Sequence, residues 1–300
     1  MFLSEFPPST IAFRQIATWW WLAGTEVFSV HFEVECRALP TPTKFGIHAA
    51  SLQPCTAGQK LTRPPIIMAM EQRSDRAHVL LLPYPTQGHI NPMLQFAKRL
   101  VSKGVKATLA ATIFISNTVQ FDTGAISVVP ISDGCDQGGF AEAGSVSDYL
   151  KRLEAAGSRT LGDLIEQLSR SGQNVTCLVY DAFFPWALDV ANKLALPGAA
   201  FFTQMCIVDA IYYHVYHGNV AVPLAPEHHQ TAVRLPGLPP LKIDDMPSFI
   251  AACGSYPAYK ELVLDQFRNL EKADWVLLNT FHELEPQSIK AYSSSDKLNF

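Results

Sequence analysis

The sequence lacks the patterns that mark several classes of binding protein. Its six cysteines are scattered, with no CxxC pair and no spacing typical of a metal site. No run approaches the roughly 18 consecutive apolar residues that a membrane-spanning helix needs. Lys and Arg number 23 against 27 Asp and Glu, so no positive excess favours nucleic acid or an anionic membrane. We therefore expect a cytoplasmic protein with no metal, no nucleic-acid partner and no membrane span.

Two catalytic signatures are also missing. No GxGxxG loop or P-loop is present to hold a phosphate, and no GxSxG segment is present to supply a nucleophilic serine. The sequence therefore predicts no bound cofactor and argues against a hydrolase. What the chain does have is apolar character, since 48% of its 300 residues are hydrophobic and 17% are charged. That composition is sufficient for a sizeable buried core.

Short apolar runs alternate with helical patterns from residue 78 onward. Strands are predicted over residues 79–82, 105–112, 125–131, 175–180, 198–203 and 275–280. Helices are predicted over 92–100, 146–168 with a break near Gly157, 185–194, 206–216 and 248–272. This alternation predicts one α/β domain with a doubly wound parallel sheet of the Rossmann type.

The predicted domain occupies residues 73–286. Residues 1–72 have no sustained period of two or 3.6 and are predicted to be a disordered extension. Residues 287–300 are polar and are expected to form an irregular tail where the chain is truncated. The pair His228 and His229 lies in a Pro-rich segment with no third ligand nearby in sequence, which favours solvated histidines over a metal site.

The segment HVLLLPYPTQGHINPM at 78–93 predicts a buried strand, a tight loop and a helix. Asn91 is the expected N-cap and Pro92 the expected first helical residue. Ligands of parallel sheets bind at the carboxyl ends of strands, and His89 lies in that loop. A helix N-terminus disfavours imidazolium, so a neutral ring there can act as a general base. The alternative is a loop histidine that only bonds backbone.

A histidine base works better when a carboxylate holds its second nitrogen. Asp181 ends the predicted strand before the 185–194 helix, on the same rim of the sheet, whereas Asp189 lies inside that helix. By position alone, Asp181 is as compatible with capping a helix as with pairing to His89. The Gly- and Asp-rich segment 132–145 is either a flexible connection or one border of a substrate cleft.

The segment PYPTQGHINPMLQFAKRL at 83–100 resembles the start of the plant family-1 UDP-sugar glycosyltransferases, especially the group that glucosylates small carboxylic acids and thiohydroximates. The resemblance covers residues 77–286 and implies the N-terminal, acceptor-binding half of a GT-B fold. In that family the loop histidine is the catalytic base, paired with an Asp in a strand-end D-x-F motif. The resemblance therefore implies that His89 is the base and Asp181 its partner.

The same resemblance implies transfer, with inversion, of a hexose from a UDP-sugar to a carboxylic acid, phenol or thiol. UDP-glucose is the family's commonest donor and acts as a co-substrate, with no metal. Thr86 and Gly88 share the loop of His89, and Thr203 lies where the family has a hydroxyl near the donor sugar. Turn or capping chemistry is the alternative for the two threonines. The apolar acceptor pocket is expected to include Tyr149, Phe183, Phe184 and Met205.

The family's second domain carries a long donor-binding signature that includes an HCGWNS-like run. No such signature occurs within these 300 residues. We therefore expect a truncated form that is inactive in sugar transfer by itself. A non-catalytic module that only binds a small molecule is the alternative.

Overall fold

A seven-stranded sheet lies at the centre of the structure. The computed structural model describes residues 77–224, 232–236, 238–251, 256–281 and 283–286, together with the backbone of Val34–Cys36. The strands are β1 (Val34–Cys36), β2 (His78–Leu82), β3 (Lys106–Thr112), β4 (Ser127–Ile131), β5 (Cys177–Asp181), β6 (Gly198–Phe202) and β7 (Trp275–Leu278). Their order is β1-β7-β6-β5-β2-β3-β4, and every neighbouring pair is parallel except β1 with β7.

Helices cover both faces of this sheet. They are α1 (Gln87–Ser102), α2 (Ile113–Thr118), α3 (Phe140–Ala143), α4 (Val146–Arg170), α5 (Pro185–Lys193), α6 (Cys206–Tyr216), α7 (Ser248–Ala251) and α8 (Pro257–Asp265). Alternate residues of one strand enter different cores: Val79 and Leu81 pack with α1, whereas Leu80 and Leu82 pack in the cluster formed with α4 and α5. Two cores on two faces confirm the predicted doubly wound α/β sheet. Across the described ranges, every helix is too short or too polar to span a bilayer.

The topology places a crevice beside β2. That strand pairs with β3 on one side and with β5 on the other, so the chain runs outward through β4 and then crosses back to β5. The loops that follow β2 and β5 therefore leave in opposite directions at the carboxyl edge of the sheet. Ligands of open α/β folds bind at such a switch point.

The predicted start of α1 at Pro92 was wrong. The helix begins at Gln87 with Thr86 as N-cap, and Pro92 lies inside it. The carbonyl of Thr86 accepts hydrogen bonds from the amides of His89 at 3.1 Å and Ile90 at 2.9 Å, which closes the first turn before the proline is reached. Pro92 removes one amide donor from the helix without ending it. His89 consequently lies in the first turn of α1, not in the loop ahead of it.

The predicted break at Gly157 was also wrong, because α4 continues through it. A Cβ at this position would lie 2.9 Å from the Trp186 ring of α5, so the missing side chain leaves room for a neighbouring helix. The predicted helix over 248–272 is divided instead into α7, α8 and a 3₁₀ turn at Leu270–Lys272. Pro257 begins α8, in keeping with the preference of proline for a first helical turn.

The terminal predictions fall largely outside the described residues. These are the extension at 1–72, apart from the backbone of Val34–Cys36, and the tail at 287–300. Val34–Cys36 adds an antiparallel edge strand that no sequence pattern predicted. Contacts within the chain divide it into two units, one formed by residues 1–37 and 76–300 and the other by residues 38–75. The second unit lies wholly outside the described residues. His228 and His229 also lie outside the described residues.

Candidate active site

His89 and Asp181 form a hydrogen-bonded pair at the carboxyl edge of the sheet. Nδ1 of His89 lies 2.7 Å from Oδ2 of Asp181. Asp181 is 1% exposed and His89 15% exposed, so the carboxylate is buried while the imidazole keeps access to solvent. Because an ionised carboxylate only accepts hydrogen bonds, this pairing places the proton of a neutral imidazole on Nδ1 and leaves a lone pair on Nε2. This is the tautomer required of a base that takes a proton at Nε2.

Backbone amides hold the carboxylate of Asp181 in this orientation. The amide of Phe183 donates to Oδ1 at 3.1 Å, and the amide of Tyr84 donates to Oδ2 at 3.3 Å. The N-cap of α5 is Phe184, so Asp181 faces His89 and does not cap that helix. The other acidic candidate, Asp189, accepts a hydrogen bond from Asn269 at 3.1 Å and is held elsewhere.

Three further side chains surround the imidazole. Oγ1 of Thr203 lies 3.1 Å from Nδ1 of His89. The single proton on Nδ1 is directed to Asp181, so Thr203 is at most a second acceptor of that proton. The hydroxyl proton of Thr203 can therefore be donated to a ligand. The rings of Phe183 and Tyr84 lie 4.8 and 5.3 Å from the imidazole centroid. These contacts restrict the rotation of His89.

A cavity of about 420 Å³ opens beside His89. Its wall is mostly apolar and comes from many elements, including the segment 132–145, which therefore borders the cleft. The described lining residues are Tyr84, Pro85, Thr86, His89, Thr112, Phe114, Ile115, Asp133, Gly139, Phe140, Tyr149, Phe183, Gln204, Phe249, Tyr259, Leu262 and Val263. An apolar wall with few polar groups is typical of a small-molecule site.

The structure separates the predicted site residues into two groups. Thr86, Tyr149 and Phe183 line the cavity with His89, and Thr203 contacts the imidazole. The other group lies away from the lining described above. Phe184 instead lines a neighbouring groove with Trp186, Met205 is 51% exposed, and Gly88 is exposed in the first turn of α1.

Two polar features of the cavity were not predicted. Asp133, 1% exposed, accepts a hydrogen bond from the Tyr149 hydroxyl at 2.8 Å. Burial, with the added effect of Asp133, raises the pKa of Tyr149, so its phenol remains protonated and donates. Gln204 also lines the cavity, and its buried Oε1 atom has no hydrogen-bond partner among the described residues. Neither feature has a sequence signature, because each depends on elements distant along the chain.

The described part of the chain also contains no cluster of three or more His, Cys, Asp or Glu side chains able to hold a metal ion. The polar groups of the cavity are instead dispersed around its wall. The site therefore offers a proton acceptor and hydrogen-bonding groups for a small molecule.

No family model matches the sequence. Among curated proteins, UDP-glycosyltransferase 74F2 of Arabidopsis thaliana is 49% identical over 221 residues, which covers 73% of this chain and 47% of that protein. Indole-3-acetate beta-glucosyltransferase of Zea mays is 44% identical over 219 residues, covering 70% of this chain and 46% of that protein.

Among solved structures, Os79 from O. sativa in complex with UDP superimposes with a TM-score of 0.66 at 39% identity, covering 73% of this chain and 49% of that chain. The chain thus spans about half the length of the curated relatives and solved structures it matches. The His89–Asp181 pair and the doubly wound sheet both lie within the described part of the chain. The chain belongs to the plant UDP-glycosyltransferase family.

Proposed function

We propose that this chain supplies the acceptor pocket and the catalytic base of an inverting UDP-glucosyltransferase of small plant metabolites. The observation that carries the proposal is the His89–Asp181 pair, 2.7 Å apart, beside a mostly apolar cavity. One solved structure of Os79 is a complex with UDP, and another is a complex with U2F and trichothecene. These complexes support a sugar nucleotide and a small acceptor as the two substrates.

In this proposal, His89 takes the proton of the acceptor. An acceptor hydroxyl or thiol binds with its hydrogen toward Nε2, and its oxygen or sulfur attacks the anomeric carbon of the sugar. A new bond to that carbon forms as its bond to the diphosphate oxygen breaks, so UDP leaves from the opposite face and the configuration inverts. Asp181 stabilises the imidazolium that results.

The remaining polar groups have positioning roles in the same proposal. The Thr203 hydroxyl, which contacts His89, would bind the donor sugar, and Thr86, which lines the cavity with His89, would contact the acceptor. Tyr149 and Phe183 contribute to the acceptor wall. The UDP-sugar is a co-substrate, and no metal is invoked. Cys135, Cys177 and Cys206 are buried and form no disulfide within the described residues, in keeping with a protein of the reducing cytoplasm.

A second candidate is a module that binds a small molecule without transferring sugar. It is favoured by one observation, namely that the 300 residues contain no donor-binding signature. The two functions share the cavity and differ in whether a sugar is transferred to the bound molecule. Kinetics of a version that includes the remaining half therefore separate them.

The test is His89→Ala in a chimera that joins residues 77–286 to the remaining half of an Arabidopsis relative. Turnover of UDP-glucose with a hydroxyl acceptor should fall about 10²–10⁴-fold, the usual contribution of general-base catalysis. A carboxylic acceptor is already ionised near pH 7, since its pKa is about 4, so its turnover should fall far less. Asp181→Asn should lower turnover of the hydroxyl acceptor in the same direction.

The matched control is Asp189→Asn, which changes a neighbouring carboxylate bonded to Asn269 and should leave both rates near those of the parent chimera. An equal loss on the two acceptor classes in His89→Ala would show that His89 positions the acceptor and does not take its proton.

A further inference from the structure

The cavity contains a buried carboxylate, that of Asp133, which has no role in the proposed reaction. Asp133 lies in the wall, and its Oδ1 accepts a hydrogen bond from the Cys135 amide at 2.9 Å. Its Oδ2 accepts one from the Tyr149 hydroxyl at 2.8 Å. A carboxylate offers about four lone-pair directions, so roughly two of them remain for other donors. No lysine, arginine or histidine forms an ion pair with Asp133 among the described residues.

The position of Asp133 in the sheet separates it from the catalytic base. His89 follows β2 and Asp133 follows β4, with β3 between those two strands. Neighbouring strands lie about 4.8 Å apart, and Asp181 holds the His89 ring at the end of β5, three strand spacings from β4, so the base and Asp133 lie on well-separated parts of the cavity wall. The wall between them includes Thr112 at the end of β3 and the ring of Phe114. An elongated small molecule can therefore meet both groups at once.

We propose that Asp133, held by Tyr149, selects acceptors that carry a hydroxyl or N–H donor at the end remote from the reacting group. This inference rests on the proposed function, because His89 defines which end reacts. A remote donor would use a free lone pair of the carboxylate. A ligand with an ether, a halogen or a second carboxylate at that end would displace water from a buried charge without replacing its hydrogen bond, which is costly.

The test is calorimetric binding of two probes to the 300-residue chain with no sugar donor present. The probes are 3-(4-hydroxyphenyl)propanoate and 3-(4-fluorophenyl)propanoate, which share a carboxylate and a ring and differ in the donor at the far end. The hydroxyl probe should bind about tenfold or more tightly, as expected when one hydrogen bond to a charged group is lost. This comparison uses the wild-type chain and does not depend on the folding of a variant.

Two variants then assign the preference to its residue. Asp133→Asn keeps an oxygen for the Cys135 amide but replaces the second acceptor by an amide donor, so the preference for the hydroxyl probe should disappear. Asp136→Asn is the matched control, because this carboxylate belongs to the same segment but bonds Ser132 and is outside the described lining. It should retain the preference.

The outcomes separate this inference from the proposed function. Equal affinity of the two probes for the wild-type chain, or an unchanged preference in Asp133→Asn, would overturn the role of Asp133 and leave an acceptor site in place. Failure of both probes to bind the wild-type chain would overturn the inference together with the acceptor site itself. A preference that is lost in Asp133→Asn and kept in Asp136→Asn would support it.

Discussion

Asp209 has no hydrogen bond from any described residue. It lies in the first turn of α6, 1% exposed, and both carboxylate oxygens are unpaired. The amides that would normally serve an acid at this helix end are already used, since Glu285 accepts from the amides of Cys206 and Ile207 at 3.1 and 3.2 Å. Burial, followed by the charges of Glu285 and Asp181, raises the pKa of Asp209 well above its usual value.

This raised pKa makes stability fall as pH rises. In the unfolded chain Asp209 loses its proton near pH 3.8, whereas the folded protein retains the proton to higher pH. Between those two pKa values the folded state binds more protons, so the free energy of unfolding decreases with increasing pH. Asp209→Asn cannot ionise and should be more stable than the wild type at pH 8, by more than the roughly 0.5 kcal/mol typical of surface changes.

Urea unfolding at pH 8 and pH 4 measures this effect, and the advantage of Asp209→Asn should shrink at the lower pH. Asp163→Asn on the exposed face of α4 is the control, and it should change stability little at pH 8. The same advantage at both values of pH would contradict the assignment, because a neutral packing effect does not titrate.

At the residue scale, His89 and Asp181 were predictable as candidates because each follows a strand at one edge of the sheet. Their pairing was not, since it requires β2 and β5 to be neighbours although β3 and β4 lie between them in sequence. The family resemblance supplied that step. Asp133 and Gln204 become site residues only through the shape of the cavity. The direction of a side chain beside a turn, as in Phe184 and Met205, follows no period.

At the scale of elements, the buried strands were the easiest to predict. Strands covered on both faces are continuous apolar runs, and β5, β6 and β7 begin or end within two residues of expectation. Helix α6 has the predicted bounds. Prediction failed at Pro92 and Gly157. A helix can continue through a residue that weakens it locally, because contacts with distant parts of the fold stabilise the helix.

The two glycines within α4 provide a matched pair that tests this reasoning. A Cβ at Gly157 would lie 2.9 Å from Trp186, whereas the nearest atom to one at Gly162 is 4.0 Å away on Val190. Alanine favours a helix by up to about 1 kcal/mol relative to glycine, but overpacking a buried ring costs about 1–3 kcal/mol. Gly157→Ala should therefore lower the free energy of unfolding, and Gly162→Ala should raise it.

Urea unfolding of the two variants beside the wild type measures both changes. Trp186 is buried and also contacts Phe184 at a centroid distance of 4.9 Å, which limits how far its ring can move. A stabilising effect of both substitutions would show that the indole yields and that helix propensity decides.

At the scale of the whole molecule, we expect the sheet and its two cores to fold without further residues. Each face of the parallel strands is covered by helices, and the clusters on the two faces include residues from β2, β5, β6 and β7. The carboxyl edge, with His89 and the cavity, belongs to the same unit. Acceptor binding should therefore be a property of these residues alone.

Sugar transfer makes a further demand that these residues do not meet. The diphosphate is the leaving group, and its developing charge needs hydrogen-bond donors arranged in advance. The 300 residues contain neither the expected donor signature nor a Gly-rich phosphate loop. We expect the chain to unfold cooperatively and to bind small phenolic acids, while forming no glucoside from UDP-glucose and no calorimetrically measurable complex with it.

Product analysis and calorimetry on the purified chain test this expectation directly. The positive control is the chimera carrying the remaining half of a relative, which should gain turnover with the same substrates and lose it with hydroxyl acceptors in His89→Ala. Glucoside formation by the monomeric 300-residue chain would contradict the prediction, because it would require donor contacts within these residues. The diphosphate would then bind at the carboxyl edge near Thr203, which contacts His89, and Gln204, which lines the same cavity.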